Sequence, residues 1–330
     1  MNLVVEQETG TATRAESSSR SVPGRPEPSR SSETYLSSVV NAMTIDVEDY
    51  FHVSAFDGVL PRQRWESLES RVCSNTDRLL DLFEQTQVRA TFFILGWVAE
   101  RFPELARRIA SLGHEVASHG YSHRLVYDQT IPQFRDDVRR GKHVLEDLIG
   151  APVYGFRAPS YSITRQSLWA LDVLIEEGFR YDTSIFPVHH DRYGIPGSPR
   201  HPYVIERAGG RILEVPGSTV RLGPVNLAIA GGGYFRILPY AWTRWGIARL
   251  NRRDGQAAVF YLHPWEIDPG QPRLPVGRLG RFRHYRNLEK TESRLRALLR
   301  DFRFGPLSVV LRAGAGMVAA GGGRLLPYAW

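Results

Sequence analysis

An α/β fold with parallel strands is what this sequence predicts, on three observations. Short apolar runs rich in β-branched and aromatic residues alternate with longer amphipathic stretches, several of those stretches stop at a glycine, and their lengths suit right-handed crossovers rather than hairpins. With 330 residues, 42% of them hydrophobic and 11% aromatic, the chain can bury one large core or two modest ones.

In order along the chain, residues 1–38 are rich in Ser, Arg, Glu and Pro and poor in large apolar groups, which predicts a disordered leader. They hold no basic stretch followed by an apolar run, so a signal peptide is not expected and the cytoplasm is, with a peripheral membrane location as the variant. Strands are predicted at 42–47, 88–95, 114–118, 153–157, 211–215 and 257–262. Between them, 98–112 reads as a helix ending at Gly113, and 132–149 as one that places Phe134, Val138, Leu145 and Leu148 on one face before Gly150. Thr164 is positioned to cap a third, running to Gly178. The α/β domain is set at 39–309 and a glycine-rich, disordered tail at 310–330. Within that tail, 318–330 repeats the internal segment 229–242 with two residues missing.

Composition narrows the partners. The formal charge of +7 comes from arginines scattered through the chain and bunched only mildly at 278–286. That pattern suits anionic polymers or membrane headgroups better than nucleic acid. One cysteine, Cys73, excludes an internal disulfide framework and fits a reducing compartment. No apolar run reaches the roughly 18 residues that a membrane-spanning helix needs.

The chemistry-bearing residues collect at strand ends. Asp46, Glu48 and Asp49 lie at the end of the first strand, His119-Gly-Tyr-Ser-His123 follows the third, Arg157 ends the fourth, and His263 ends the last. In parallel α/β folds the site lies on the carboxyl rim of the sheet, so these residues are expected in one place. Two histidines four residues apart plus a carboxylate can hold a metal, and the remaining acid, base and arginine complete a set for metal-assisted hydrolysis. The adjacent pair His189-His190 is a weaker metal candidate, because neighbouring side chains point apart in extended chain.

Over 43–307 the chain resembles the polysaccharide deacetylases with NodB homology. The strings Asp46-Val-Glu-Asp-Tyr-Phe-His52, Ala90-Thr-Phe-Phe-Ile-Leu-Gly96, Gly231-Gly-Gly-Tyr-Phe-Arg236 and Tyr261-Leu-His-Pro-Trp-Glu-Ile-Asp268 resemble the subgroup associated with exosortase and PEP-CTERM exopolysaccharide gene clusters. The resemblance implies a distorted (β/α) barrel that removes N-acetyl groups from an amino-sugar polymer, or from its lipid-linked oligosaccharide precursor, with a divalent metal, usually zinc. It also implies exopolysaccharide assembly machinery as a partner. By resemblance, Asp46 is the base, Arg157 holds it ionised, His263 is the general acid, and His119, His123 and one acid bind the metal. Where many relatives carry Thr-Phe-Asp-Asp-Gly, this chain reads Asp46-Val-Glu-Asp49, so the third ligand is Glu48 by first choice and Asp49 by alternative. Tyr161, Tyr234 and Trp265 are expected to stack on sugar faces, with a backbone N–H of Ser160 or Tyr161 donating to the oxyanion. Asp182 is expected to buttress the site, and Glu266 and Asp268 to orient His263 or face solvent. The alternatives are a same-fold hydrolase of a small amide, as in allantoinase, and an inactive glycan-binding module.

Overall fold

The computed structural model describes residues 35–56 and 58–318. The expected leader up to residue 34 and the repeat over 319–330 lie outside the described residues.

In chain order the elements are β1 (Val40–Val47), α1 (Val72–Gln85), β2 (Thr91–Ile94), α2 (Gly96–Arg101), α3 (Pro103–Ser111), β3 (Glu115–Ser118), α4 (Ile131–Ile149), β4 (Gly155–Phe156), α5 (Ala170–Glu176), β5 (Tyr181–Asp182), β6 (Tyr203–Arg207) and β7 (Gly210–Glu214). There follow β8 (Thr219–Leu222), β9 (Val225–Ala228), α6 (Gly232–Ile237), α7 (Tyr240–Arg249), β10 (Val259–Leu262), α8 (Arg278–Tyr285), α9 (Leu288–Asp301), β11 (Arg303–Gly305) and α10 (Leu307–Val318). The main sheet runs β10-β1-β2-β3-β4-β5-β7-β6, with β11 against the start of β1, and β8 and β9 form a separate hairpin. Every pairing in the main sheet is parallel except that of β6 with β7. Among the described residues no ladder joins β6 back to β10, so the structure is a distorted (β/α) barrel.

The alternation of side chains along β1 creates the inside and outside of that barrel. Met43, Ile45 and Val47 join the large apolar layer under the helices, whereas Ala42 packs in the lumen with Phe93, Ala117, Tyr181 and Val259. Thr44 and Asp46, two and four residues on from Ala42, share its face. A polar pair buried in the lumen demands a partner there, and Arg157 supplies it.

Three boundaries differ from expectation. The helix predicted at 98–112 is two helices, because Pro103 cannot continue an earlier helix and Phe102 before it sits outside helical space, at φ −129° and ψ 65°. Helix α5 starts at Ala170 rather than after Thr164, whose N–H donates to Ser167 Oγ within a preceding turn. The Leu36 N–H already donates to the Asp301 carbonyl, and α10 runs through the expected boundary at 309/310. By contrast, α4 ends as expected at Gly150, which adopts φ +66°. No helix among the described residues is long and apolar enough to cross a membrane.

Candidate active site

Four strand ends converge on one cleft. It has a volume of about 200 Å³, and its floor includes Asp46, Glu48, His119, His123 and His263. Asp46 Oδ1 accepts from Arg157 Nη1 at 2.6 Å, and the same nitrogen donates to Thr44 Oγ1 at 2.9 Å. The guanidinium lies 4.2 Å from the Phe93 ring centroid and is fully buried, so its charge is balanced by Asp46 and its flat face is covered. Asp46 Oδ2 faces the other way, 3.8 Å from His263 Nε2.

Glu48, His119 and His123 place one ligand atom each within 4.8 Å of one another, all three side chains being buried. Glu48 Oε2 lies 2.6 Å from His123 Nε2 and has no aligned hydrogen-bond donor. His119 Nδ1 is 2.8 Å from the Arg157 carbonyl, so as the donor there it leaves Nε2 with a free lone pair. Burial lowers the His119 pKa to about 4, which keeps the imidazole neutral, the form that ligates metal. Burial opposes the charge of Glu48, but the three neighbouring histidines hold its carboxyl well below the usual range. Two imidazoles and a carboxylate around one point are a donor set that fits a divalent ion such as zinc.

Asp49 belongs elsewhere, which corrects the alternative ligand assignment. Its Oδ2 accepts from the N–H groups of Arg71 and Val72, at 2.9 and 3.1 Å, and from Ser70 Oγ at 2.6 Å, while Oδ1 accepts from the Tyr50 N–H at 3.0 Å. Arg71, the residue before α1, supplies no side-chain cap, so Asp49 caps that helix from a distant part of the chain.

The His119–His123 loop is held in a strained shape. His123 has φ +52°, and Gly120 has φ +73°, with a carbonyl so near Gly141 of α4 that a Cβ there would sit 2.7 Å from it. The Asp137 carboxylate on α4 accepts from the N–H groups of Tyr121 and Ser122, at 2.8 and 3.0 Å. Arg62 donates to the carbonyls of Ser122 and His123, at 3.2 Å each. Sequence reading missed Asp137 and Arg62, because nothing local in a surface helix or a loop marks a residue as a clamp for a segment elsewhere.

His263 is held by Glu266 and Arg236. Its Nδ1 is 2.6 Å from Glu266 Oε1, whose other oxygen accepts from Arg236 Nε. Burial alone would lower the His263 pKa, but Glu48, Glu266 and Asp46 together raise it to about 9. Asp268, the other candidate orienter, instead pairs with Arg71 and Asn75. Asp182 is buried beneath the rim, where its Oδ1 accepts from Ser184 Oγ. His189 and His190 lie in the loop at the mouth, outside the His119 cluster.

The expected sugar platforms are already in contact with neighbouring rings or hydroxyls. Trp265 lines the cleft with its ring stacked with those of His263 and His284, at 5.2 and 4.2 Å between centroids. Tyr234 does not line the cleft; its hydroxyl lies 3.2 Å from that of Tyr193. Tyr161 lines it but is packed edge-on against Tyr261. The Tyr161 N–H is also committed, to the Ala158 carbonyl at 3.1 Å, so of the two oxyanion donors expected there only that of Ser160 stays a candidate. Ser160 lines the cleft with its hydroxyl 2.9 Å from that of Ser54. Both Ser160 and Tyr161 take φ of +53°, a rare conformation at adjacent non-glycine residues.

The chain is similar to several known proteins. Residues 69–176 match the polysaccharide deacetylase family, and residues 183–312 match a domain of unknown function, DUF3473. The peptidoglycan deacetylase of Helicobacter pylori (strain ATCC 700392 / 26695) is 34% identical over 34% of this chain and 37% of its own. A chitooligosaccharide deacetylase of Rhizobium leguminosarum bv. trifolii is 32% identical over 34% of this chain and 49% of its own. The chain thus spans less than half the length of these relatives. Among solved structures, a putative polysaccharide deacetylase from Mycobacterium smegmatis superposes with a TM-score of 0.53 at 24% identity, covering 90% of this chain and 96% of that one. A probable polysaccharide deacetylase from Pseudomonas aeruginosa PAO1 gives 0.55 at 16%, covering 85% and 92%, and Puue allantoinase gives 0.55 at 16%, covering 85% and 91%. These likenesses show the NodB-type (β/α) fold, and the sequence matches show that residues 69–176 are similar to the polysaccharide deacetylase family.

Proposed function

With the polysaccharide deacetylase family as premise, we propose that this chain is a metal-dependent hydrolase that removes N-acetyl groups from an amino-sugar glycan. The observation that carries the reading is the convergence of Glu48, His119 and His123 beside the Asp46–Arg157 pair and His263 in one cleft. Glu48, His119 and His123 would hold the metal, which when bound supplies positive charge that polarises an acetyl carbonyl and acidifies water.

The chain's own groups divide the remaining work. Arg157 fixes one oxygen of Asp46, leaving Oδ2 directed at the cleft to take a proton from the attacking water. The water oxygen bonds to the acetyl carbon, and the Ser160 N–H is the candidate donor to the resulting oxyanion. His263, kept protonated by Glu48 and Glu266, passes its proton to the amine as the C–N bond breaks, giving acetate and a free amino sugar.

A second reading is supported by the size of the cleft. About 200 Å³ falls below the roughly 300–1,000 Å³ of sites that enclose a whole ligand, and its aromatic faces are turned on one another rather than outward. Such a cleft accepts the acetamido end of a glycan whose body stays outside, or a small amide as in the allantoinase whose fold it shares. Acetate release from N-acetylated glycans, with and without chelator, beside turnover of small cyclic and linear amides, separates the two. Neither activity in the metal-loaded protein would leave the glycan-binding module.

The finer reading is a glycan of exopolysaccharide biosynthesis, with zinc as the metal, in a domain near 36–318. It is supported by the strings Asp46–His52, Gly231–Arg236 and Tyr261–Asp268. Loss of exopolysaccharide N-deacetylation on deleting the gene tests it.

A further inference from the structure

Helix α8 borders the cleft: Gly280, Arg283 and His284 line it, and His284 packs flat against Trp265 beside His263. Its C-terminal end is fixed, because the buried guanidinium of Arg236 donates to the carbonyls of Arg283, His284 and Arg286, at 2.9, 2.8 and 3.2 Å. The opposite side of the helix points outward. Leu279 is 60% exposed and Phe282 48% exposed, three residues apart and therefore neighbours on one face. Arg278 and Arg281, both exposed, flank them, and Arg286 places its guanidinium 5.9 Å from the Phe282 ring. Between Asp268 and Glu289 there are five arginines, Arg273, Arg278, Arg281, Arg283 and Arg286, and no acidic residue. Among the described residues, the carboxylate that meets this group from another element is Asp191, 3.1 Å from Arg283 on the cleft side.

An aliphatic and an aromatic side chain side by side in water, ringed by arginines whose stems can lie along an apolar phase while their heads stay wet, form the pattern of a helix lying in a bilayer interface. We infer that α8 docks the protein on an anionic phospholipid surface, Leu279 and Phe282 entering the headgroup–acyl boundary and Arg278, Arg281 and Arg286 meeting the lipid phosphates, so that the mouth of the cleft faces the membrane. The partner is a bilayer because the surface is one convex helix with two apolar side chains, and charge complementarity selects anionic lipid. The docking depends on neither the reaction nor the metal.

The test is cosedimentation of the full-length protein with vesicles of phosphatidylcholine alone or mixed with phosphatidylglycerol, and retention on dextran sulfate as a soluble polyanion. Binding to the anionic vesicles should exceed binding to neutral ones by about tenfold or more. Leu279→Ser with Phe282→Ser should weaken it by about tenfold, as should Arg278→Gln with Arg281→Gln. Both variants should melt like the parent, and the apolar pair should leave dextran sulfate retention and any turnover of a soluble substrate unchanged. No preference for anionic vesicles, or full vesicle binding by the Leu279/Phe282 variant, overturns the inference. A parallel loss of dextran sulfate retention in that variant also overturns it, making this a polymer-binding face.

Discussion

Asp49→Ala and Glu48→Ala should fail in opposite ways, although the two carboxylates are adjacent in sequence. Asp49 satisfies the N–H groups of Tyr50, Arg71 and Val72 and the hydroxyl of Ser70, all within 3.1 Å. Its removal strands three backbone donors in a buried region, and with each orphaned donor costing about 1–3 kcal/mol and partial relief by water, the loss should be about 3–5 kcal/mol. At about 2–4 °C per kcal/mol for a domain of this size, Tm should fall by about 10 °C, while zinc stoichiometry measured below the transition stays at one. Glu48 instead faces side chains, with His123, His263 and Trp265 at 2.6, 3.3 and 3.4 Å and His119 close by. Glu48→Ala should therefore melt close to the metal-free parent and drop bound zinc below one equivalent. Differential scanning fluorimetry with and without chelator, and elemental analysis of the dialysed protein, read both quantities. A zinc-poor Asp49→Ala that melts like the parent would refute the assignment of the ligand to Glu48.

His119→Ala and His123→Ala should each abolish turnover and lower bound zinc, and full occupancy in both would remove the metal site from this cleft. Asp46→Asn should keep zinc and lose turnover by about 10²-fold or more, with near-parental activity pointing to another base. His263→Ala should hold zinc and melt normally, yet cleave an N-acetyl amide far more slowly than an aryl acetate ester, which needs no proton on departure. An equal deficit on both substrates removes it from the general-acid role. Burial raises the pKa of Asp182 to about 6 and that of its register neighbour Glu214 further. Both folded values exceed the unfolded ones, so the stability this shared proton provides is fully present below about pH 4 and is lost as pH rises through about 6. The fall in Tm over that interval should be smaller in Glu214→Gln, and an identical slope in both proteins would sink the pairing.

The order of strands and helices was legible in the sequence, because burial on both faces writes parallel strands as continuous apolar runs, such as 91–94 and 259–262. So was the common rim, since residues at strand ends in such a fold share one edge whatever the details of packing. The predicted set Asp46, Glu48, His119, His123, Arg157 and His263 therefore assembles around one cleft. Tertiary structure decided the rest. Glu48 and Asp49 are indistinguishable as letters, and only the approach of α1 makes one a helix cap and leaves the other free among histidines. Trp265 and Tyr234 read as sugar platforms in the sequence, and only the structure shows His263 and His284 stacked with the indole and the Tyr193 hydroxyl against that of Tyr234. Asp137 and Arg62 carry no signal at all, because a side chain that acts on a segment 15 or more residues away is selected by a spatial neighbour and not by a local pattern.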